Sequence, residues 1–449
     1  MNRRKHYQQA LALLLICFGV ATQEVAAQDS LRMDLNQVIE FALSESPTYK
    51  VANQEITRKQ YTRKEQVAAL IPAINGSAAY QRTLKKQVMV MAFGGQEQRI
   101  EVGMDNTWNM GFDLVMPVIN VALWKGIQLT EQDIELTVEK ARSSKIEMIN
   151  QLQKSYYTYL LSKDSRDVIN ATFRSTKANA DNIAKKYATG NVSEYEKLRS
   201  EVTVKNLMPQ VVSAANSVLL SEMQLKVLMG ADVDVPIVFT GSLADFEAQV
   251  LDQLVAAPDL NNLSGNTDLK QMDLQIAQLE TARKAALAQY YPTLSLAANY
   301  SWLELTNNFD FANYRWSPTS TIGISLAVPI FDGGKKHYKN QQDKISISNL
   351  KLQKDALRRS IQLDVQNSFN KIQSTNANVI ATRQSIEEAT KAYRISLKRY
   401  ELGSATLLEL NDTELALTNA RLSYNQALYD YLTSLSDLNK SLGVEVDKY

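Results

Sequence analysis

Few residues of this sequence are suited to catalytic chemistry, and they are not arranged for it. The best candidate is the stretch FDGGKKHYKN at 331–340, in which two glycines precede two lysines and His337. A phosphate-binding loop needs the spacing G-x-x-x-x-G-K, which this stretch lacks, so we predict a bend that leads from a strand into a helix. The sequence also has no nucleophile motif and no pair of carboxylates in a loop. It therefore predicts neither an enzyme nor a bound cofactor.

Ligands for a metal ion are equally scarce. The chain has one cysteine, Cys17, and two histidines, His6 and His337. Because Cys17 and His6 lie in an N-terminal segment that we expect to be removed, the mature chain keeps one histidine and no thiol. We therefore predict no metal site and no disulfide. The formal net charge of +1, without a long run of either sign, argues against a nucleic-acid partner.

The N-terminus has the pattern of an export signal. Three basic residues at 3–5 precede an apolar stretch at 10–20, and small residues follow it. The apolar stretch is too short to span a bilayer, so we predict a cleaved signal peptide over 1–27. Lipid attachment at Cys17 is the alternative, and the bulky Ile16 before it argues against that modification. The mature chain is thus expected to leave the cytoplasm.

The sequence contains a tandem repeat. Three segments recur about 210 to 220 residues later: LIPAINGSAAYQR and YYPTLSLAANYSW, MGFDLVMPVI and IGISLAVPIF, KKYATGNVSEYEKL and KRYELGSATLLELN. Prolines, glycines and tyrosines keep their places within each pair. We predict a first structural repeat over 28–230, an irregular connector over 231–265, and a second repeat over 266–449.

Each repeat has the same predicted order of elements: a helix, two strands joined by a loop, a very long helix, a glycine turn and a last helix. The strands are predicted over 73–82, 106–117, 293–303 and 319–329, with loops over 83–103 and 304–318. The helices are predicted over 48–70, 121–188, 194–229, 268–290, 335–401 and 406–441. The two longest helices contain no proline, which permits their length.

Along the strands, large apolar side chains alternate with small or polar ones. The apolar positions are Trp108, Met110, Phe112, Leu114, Leu294, Leu296, Tyr300, Trp302, Ile322, Ile324 and Leu326. A sheet half-buried against a helix is one explanation of this pattern. Strands of about ten residues with one apolar face and aromatic residues near their ends are also typical of a transmembrane β-barrel, and the four strands together favour this lipid-facing arrangement.

Four strands are too few to close a barrel, because the smallest membrane barrels have about eight strands and an open edge leaves backbone groups unpaired in lipid. The barrel must therefore be shared among copies of the chain. Two copies would form eight strands around a filled interior, and three would form twelve around an open passage. The strand pattern alone leaves both numbers open.

The signal peptide, the tandem repeat, the two strand pairs and the Tyr-x-x-Gly turns together resemble the TolC family of outer-membrane efflux ducts. The resemblance covers essentially the whole mature chain. It implies a membrane α+β fold in which three copies share a twelve-stranded outer-membrane β-barrel, continued by a long periplasmic α-helical barrel. It also implies partners: a periplasmic adaptor, or membrane fusion protein, that docks at the tip turns with Tyr187, Gly190 and Gly403, and an inner-membrane transporter.

The resemblance also implies a gate at the second tip turn. Glu409 and Asp412 occupy the two acidic positions that line the pore constriction in this family, three residues apart on one helix face. Thr406 and Glu409 equally fit a capping box, so Glu409 can instead cap its own helix. The carboxylate and tyrosine of the family's closing contact match Glu196 and Tyr400.

We expect a passive exit duct of a tripartite efflux or type I secretion system, without a cofactor. Its cargo and its pump stay open, because specificity is expected to reside in the pump. A periplasmic coiled-coil scaffold without a pore is the alternative, since long helices alone support it. The strand pattern separates the two, because a scaffold has no need of repeated lipid-facing alternation.

Overall fold

The computed structural model describes residues 31–93, 96–252 and 256–445. The predicted signal peptide over 1–27, with Cys17, lies outside the described residues. The first elements are β1 (Leu31–Met33), α1 (Leu35–Glu45), α2 (Pro47–Ala68), β2 (Ala73–Arg82), β3 (Gln87–Phe93), β4 (Gln96–Val102) and β5 (Asn106–Ile119). The next are α3 (Val121–Ala188), α4 (Glu194–Met229), β6 (Ile237–Phe239) and α5 (Glu247–Asp252). The last are α6 (Thr267–Ala288), β7 (Thr293–Thr306), β8 (Ser317–Ala327), α7 (Lys335–Glu401) and α8 (Leu407–Leu442).

The strands and helices predicted from the sequence pattern are confirmed to within a few residues. The two longest helices, α3 and α7, run for 68 and 67 residues. The helix α4 continues through Pro209. Within the described part of the chain, no helix combines the length and the apolar character needed to cross a bilayer.

Two segments differ from the prediction. The stretch 83–103, predicted to be a loop, contains the antiparallel hairpin of β3 and β4. The connector over 231–265, predicted to be irregular, contains β6 and α5, and β6 pairs in parallel with β1 near the start of the described chain. These strands were not predicted because β3 is almost wholly apolar, β4 is mostly polar, and β1 and β6 are only three residues long, so none shows a clear alternation.

The chain divides into two compact units. One consists of residues 51–144 and 260–364 and contains the four-stranded sheet. The other consists of the described residues of 31–50, 145–259 and 365–445, and contains the helix turns. The division falls within α3 and α7, so each of these helices contributes to both units.

The first unit is built on a sheet with the strand order β2-β5-β7-β8, and each strand is antiparallel to its neighbours. The register crosses all four strands: Ile74 lies opposite Leu114, Leu114 opposite Ala298, and Ala298 opposite Ile322. The register shifts just after Pro117. Proline has no N–H to donate to the neighbouring strand, so a break in regular pairing is expected at this position.

This register places the predicted apolar positions on one face of the sheet. Within one chain six of these eleven residues are exposed, among them Phe112 at 54% and Ile322 at 77%, and the other five are half-buried. The opposite face carries small and polar side chains, and Asn299 Nδ2 donates a hydrogen bond of 2.7 Å to Asp113 Oδ1 there. Every residue of the outer strands β2 and β8 is exposed. Within one chain, this sheet therefore lacks the covering layer that an ordinary half-buried sheet has.

The second unit has a conventional apolar core. Its largest fully buried side chains are Tyr156, Leu152, Leu160, Ile183, Leu225, Met229, Phe239, Leu243, Leu410, Leu428, Tyr431 and Leu432. Polar contacts link α3 to α8 beside this core, where Asn150 Nδ2 donates to Ser436 Oγ at 2.9 Å and Lys154 pairs with Asp437 at 2.9 Å. The core fixes α3 and α8 together along the segments that lead to the helix turns.

The close approach of β5 and β7 at Gly111 generates a prediction. A Cβ at Gly111 would lie 2.8 Å from the carbonyl oxygen of Tyr300 and 2.9 Å from Cβ of Ser301. These separations are shorter than van der Waals contact, so Gly111→Ala must push the strands apart. We expect it to lower the free energy of unfolding by about 1–3 kcal/mol, as overpacking does, measured by thermal unfolding followed by circular dichroism in detergent.

Gly323 provides the matched control, because it occupies the equivalent position of the second repeat. A Cβ there would meet no atom within 4 Å, and its backbone does not have a positive φ. Gly323→Ala should therefore unfold at the wild-type temperature. Equal melting temperatures for the two alanine variants would show that the contact at Gly111 does not limit the pairing of β5 and β7.

Candidate gate at the helix turns

The first turn, between α3 and α4, is closed by backbone hydrogen bonds. The N–H of Gly190 donates to the carbonyl of Tyr187 at 2.9 Å, and the N–H of Asn191 donates to the carbonyl of Lys186 at 2.9 Å. This pair of bonds is the Schellman arrangement, which requires a residue with positive φ after the helix. Gly190 supplies it with φ 75°. The glycine of the Tyr-x-x-Gly motif is thus explained by backbone geometry.

The second turn, between α7 and α8, repeats this arrangement. The N–H of Gly403 donates to the carbonyl of Tyr400 at 3.1 Å, and the N–H of Ser404 donates to the carbonyl of Arg399 at 2.8 Å. Gly403 has φ 73°. Because the tyrosine contributes only its carbonyl to this arrangement, the turn itself does not require an aromatic ring. The two rings are therefore available for contacts of their own.

Those contacts are with lysines. The Lys186 ammonium lies 5.3 Å from the centre of the Tyr400 ring, and the Lys197 ammonium lies 5.2 Å from the centre of the Tyr187 ring. Both distances are within the range of cation–π attraction. Since Lys186 belongs to the end of α3 and Tyr400 to the end of α7, the first contact brings the two turns together.

Glu196 and Tyr400, the predicted closing contact, lie in this same region. The Tyr400 hydroxyl is buried and has no hydrogen-bond partner among the described residues. Burial raises the pKa of Tyr400, and the negative charge of Glu196 raises it further. The hydroxyl is therefore retained as a neutral donor close to a carboxylate.

The two helices after the turns begin with matching caps. Ser193 Oγ accepts a hydrogen bond from the Glu196 N–H at 3.3 Å, and Thr406 Oγ1 accepts one from the Glu409 N–H at 3.2 Å. These bonds satisfy backbone donors that a helix start leaves free. The caps are thus made by the two hydroxyl side chains.

The Glu409 carboxylate is held within its own turn. It lies 3.6 Å from the Arg399 guanidinium and 3.4 Å from Thr406 Oγ1. Both side chains of the ion pair are about half exposed, so its contribution to stability is below about 1 kcal/mol. Arg399 was not predicted to be part of this site, although it directly precedes Tyr400.

Asp412 differs from Glu409. It is exposed, and it has neither an ion pair nor a hydrogen bond among the described residues. It follows Glu409 by three residues on the same side of α8, so its charge is free to act on solvent and solutes. Of the two predicted acidic residues, Asp412 is the one without a structural partner.

A third carboxylate lies deeper in this unit and was not predicted. Glu414 is only 7% exposed and takes a place in the buried stripe of Leu407, Leu410 and Leu417. The spacing of three and four residues in the sequence was the available signal for its burial. In the described part of the chain, no group of three or more His, Cys, Asp or Glu side chains is placed to hold a metal ion.

Comparison with known proteins extends these observations. The sequence profile of the family described as "Outer membrane efflux protein" matches residues 38–231 and 261–444. The chain is 22% identical over 426 residues to the alkaline protease secretion protein AprF of Pseudomonas aeruginosa, covering 93% of this chain and 86% of AprF. It is 20% identical over 352 residues to the outer membrane protein TolC of Escherichia coli, covering 75% and 70% of the two chains.

The fold is also found among solved structures. The outer membrane channel CmeC of Campylobacter jejuni superposes with a TM-score of 0.73 at 17% identity, covering 91% of this chain and 85% of that one. At this identity the likeness concerns the fold, and the family is shown by the profile match, which includes most of both repeats. The chain therefore belongs to the outer membrane efflux protein family, the TolC family that its sequence resembles.

Proposed function

We propose that three copies of this chain close their sheets into one twelve-stranded barrel, and that this barrel is the outer-membrane end of an exit duct. The observation that carries the proposal is the uncovered sheet. Its apolar face is partly exposed within one chain, and among the described residues no strand pairs with the outer edge of β2 or of β8. Lipid is the medium that suits the apolar face, and pairing between copies is what satisfies the strand edges.

The polar face supports three copies over two. Its central rows consist of small or medium side chains: Asn75, Ser77, Gly111, Asp113, Asn299, Ser301, Thr319 and Thr321. An eight-stranded barrel has an interior just filled by side chains, whereas twelve strands leave a passage. Small polar side chains suit the wall of a water-filled passage. A pore-free scaffold, in contrast, would leave the apolar face of the sheet in water.

We place the gate of this duct at the two helix turns. In a trimer, the three Asp412 carboxylates would face a common axis, with Glu409 beside them. Such a ring would attract cations and repel anions. Asp412 carries this role because it has no partner, whereas Glu409 is held by Arg399 and Thr406. Glu196, Tyr400 and Lys186 would hold the turns together in the closed state.

The remaining parts of the proposal concern partners and cargo. The turns with Tyr187, Gly190 and Gly403 would dock a periplasmic adaptor, which links the duct to an inner-membrane pump. The wall of the duct would be formed by the two repeats in alternation around its axis. The repeats cover 28–230 and 266–449, with a connector over 231–265. AprF is named for protease secretion and CmeC is described as a channel. We propose that this chain likewise conducts passively and that the inner-membrane pump selects the cargo.

Ion selectivity tests the gate. We expect the purified protein to form cation-selective channels of small conductance in a planar bilayer, with the reversal potential measured across a salt gradient. Asp412→Asn should lower cation selectivity several-fold, because it removes the unpaired carboxylate without changing the size of the side chain. Glu409→Gln should have a smaller effect. Unchanged ion selectivity in the Asp412→Asn, Glu409→Gln double variant would refute this gate. A purified protein that remains soluble without detergent would refute the duct.

The closing contact makes a separate prediction. Glu196→Ala removes the charge beside Tyr400 and should loosen the closed turns, so we expect a conductance several times that of the wild type. Glu194→Ala is the matched control, because Glu194 is two residues away, exposed, and not among the groups that shift the pKa of Tyr400. Equal conductance for the Glu196→Ala and Glu194→Ala variants would remove Glu196 from the closing contact.

A further inference from the structure

The buried carboxylate of Glu414 has no role in the duct as described so far. It lies on α8 two residues beyond Asp412, and Leu410 and Leu417 on either side of it are 0% and 7% exposed. Its own side chain, at 7% exposure, is directed into the packing of α8 against α3 and α7. An apolar residue is the usual occupant of such a position, because burial of a charge is unfavourable without a compensating partner.

The hydrogen bonds of this carboxyl group are incomplete. Thr176 Oγ1, on α3, lies 3.1 Å from Oε2 and 2.9 Å from the carbonyl oxygen of Thr172, so its single proton is shared between these two acceptors. Oε1 is buried and has no hydrogen-bond partner among the described residues. The hydroxyls of Ser175 and Tyr393 line the same cavity and are bonded to each other at 2.8 Å. The carboxyl group thus has fewer donors than an ionised carboxylate requires.

No positive charge compensates it either. The cavity beside Glu414 has a volume of about 230 Å³ and is lined from α7 by Arg394 and from α8 by Arg421. In the described part of the chain, neither arginine forms an ion pair with Glu414. The helix α3 contributes the hydroxyls of Thr172, Ser175 and Thr176 and no charge to this surface. The groups that face Glu414 are therefore hydroxyls, with two guanidinium groups at a larger distance.

These surroundings favour the neutral acid. Burial raises the pKa of the Glu414 carboxyl above its ordinary value of 4.5, and the hydroxyls of Ser175, Thr176 and Tyr393 only partly oppose that rise. If the start of α8 moved away from α3 and α7, water or Arg421 could reach the carboxylate, and its ordinary acidity would return. The packed and loosened forms of this helix segment thus bind the proton with different affinity.

We propose that Glu414 is a pH-sensitive latch that holds the start of α8 against α3 and α7 when it is protonated and releases this segment when it is ionised. The released segment carries Glu409 and Asp412, so the latch would couple the acidity of the surrounding solution to the gate. This coupling rests on the function proposed above. The latch itself is a property of the three helices and can be tested without a membrane current.

The direction of the effect follows from proton linkage. Below the ordinary pKa of a glutamate, both forms are protonated and the packed form is fully stable. Between that value and the raised pKa of packed Glu414, each increase of one pH unit reduces the packed-to-loosened ratio up to tenfold. Above the raised value the ratio is constant again. Lowering the pH therefore favours the packed form, and raising the pH favours the loosened form.

Hydrogen exchange of the backbone amides of residues 407–418 measures this ratio. Wild-type protein and the Glu414→Gln variant are compared at the same pH, so that the intrinsic effect of pH on exchange cancels. We expect equal protection near pH 4, and protection in the wild type that falls progressively below that of Glu414→Gln as the pH rises, by up to tenfold per unit. The Asp181→Asn variant is the matched control and should keep the wild-type dependence, because Asp181 is an exposed carboxylate on α3 outside the proposed gate.

A second variant tests the direction in which the transition moves along the pH scale. Thr176→Val removes a hydroxyl whose hydrogen bond lowers the pKa of packed Glu414, so this pKa should rise and the transition should extend to higher pH. A ratio of wild-type to Glu414→Gln protection that is constant with pH would overturn the latch. A transition that disappears in Asp181→Asn, or that Thr176→Val moves to lower pH, would overturn it as well.

Channel recordings separate the latch from the duct. Wild-type channels that open more often as the pH rises, together with Glu414→Gln channels that do not, support both proposals. A pH dependence of opening that is the same in the two proteins overturns the coupling to the gate and leaves the duct intact. Absence of channels, with an exchange transition that still follows Glu414, overturns the duct and leaves the latch in place.

Discussion

The unpaired edges of the four-stranded sheet are the constraint on which the rest of the molecule depends. In the described part of one chain, β2 and β8 each have a neighbouring strand on one side only, and the apolar face between them is partly exposed. Backbone groups cannot be left without hydrogen bonds in lipid. If the sheet faces lipid, the edges must pair with those of other copies. The proposed trimer meets that requirement by pairing β2 of one copy with β8 of the next.

The two repeats have similar backbone features but different side-chain contacts. Both turns use a glycine of positive φ and the same pair of backbone bonds, yet only the second turn has an arginine that pairs with its glutamate. Gly111 and Gly323 occupy equivalent strand positions, yet only Gly111 is in close contact with a neighbouring strand of its own chain. Duplication has thus kept the residues that the backbone needs, while the contacts around them have diverged.

Much of the fold could be predicted from the sequence, because long helices and strands space their apolar residues at regular intervals. The lack of proline predicted α3 and α7, and the alternation of apolar side chains predicted the four strands of the sheet. The hairpin of β3 and β4 was missed because residues 88–93 of β3 are all apolar and β4 is mostly polar, so a period of two could not be seen. The three-residue strands β1 and β6 are too short to show any period, and their pairing joins positions about 200 residues apart.

The candidate site could be predicted less well. Motif comparison identified Glu196, Tyr400, Glu409 and Asp412, but the ion pair of Glu409 with Arg399 depends on how the turn folds back. The burial of Glu414 was indicated by its spacing from Leu407, Leu410 and Leu417. The hydroxyl and arginine neighbours of its carboxyl group come from three separate helices, and only the folded chain brings them together.

Cross-linking between strand edges tests the shared barrel most directly. In a chain with Cys17 replaced by serine, a cysteine at Ser77 in β2 is combined in turn with one at Thr319, Thr321, Gly323 or Ser325 in β8. Within one chain these strands are three spacings apart, about 14 Å, which is too far for a disulfide. We expect oxidation in membranes to give a covalent ladder that ends at three chains for at least one pair. A ladder that ends at two chains, or no linked chains from any pair, would contradict the twelve-stranded barrel.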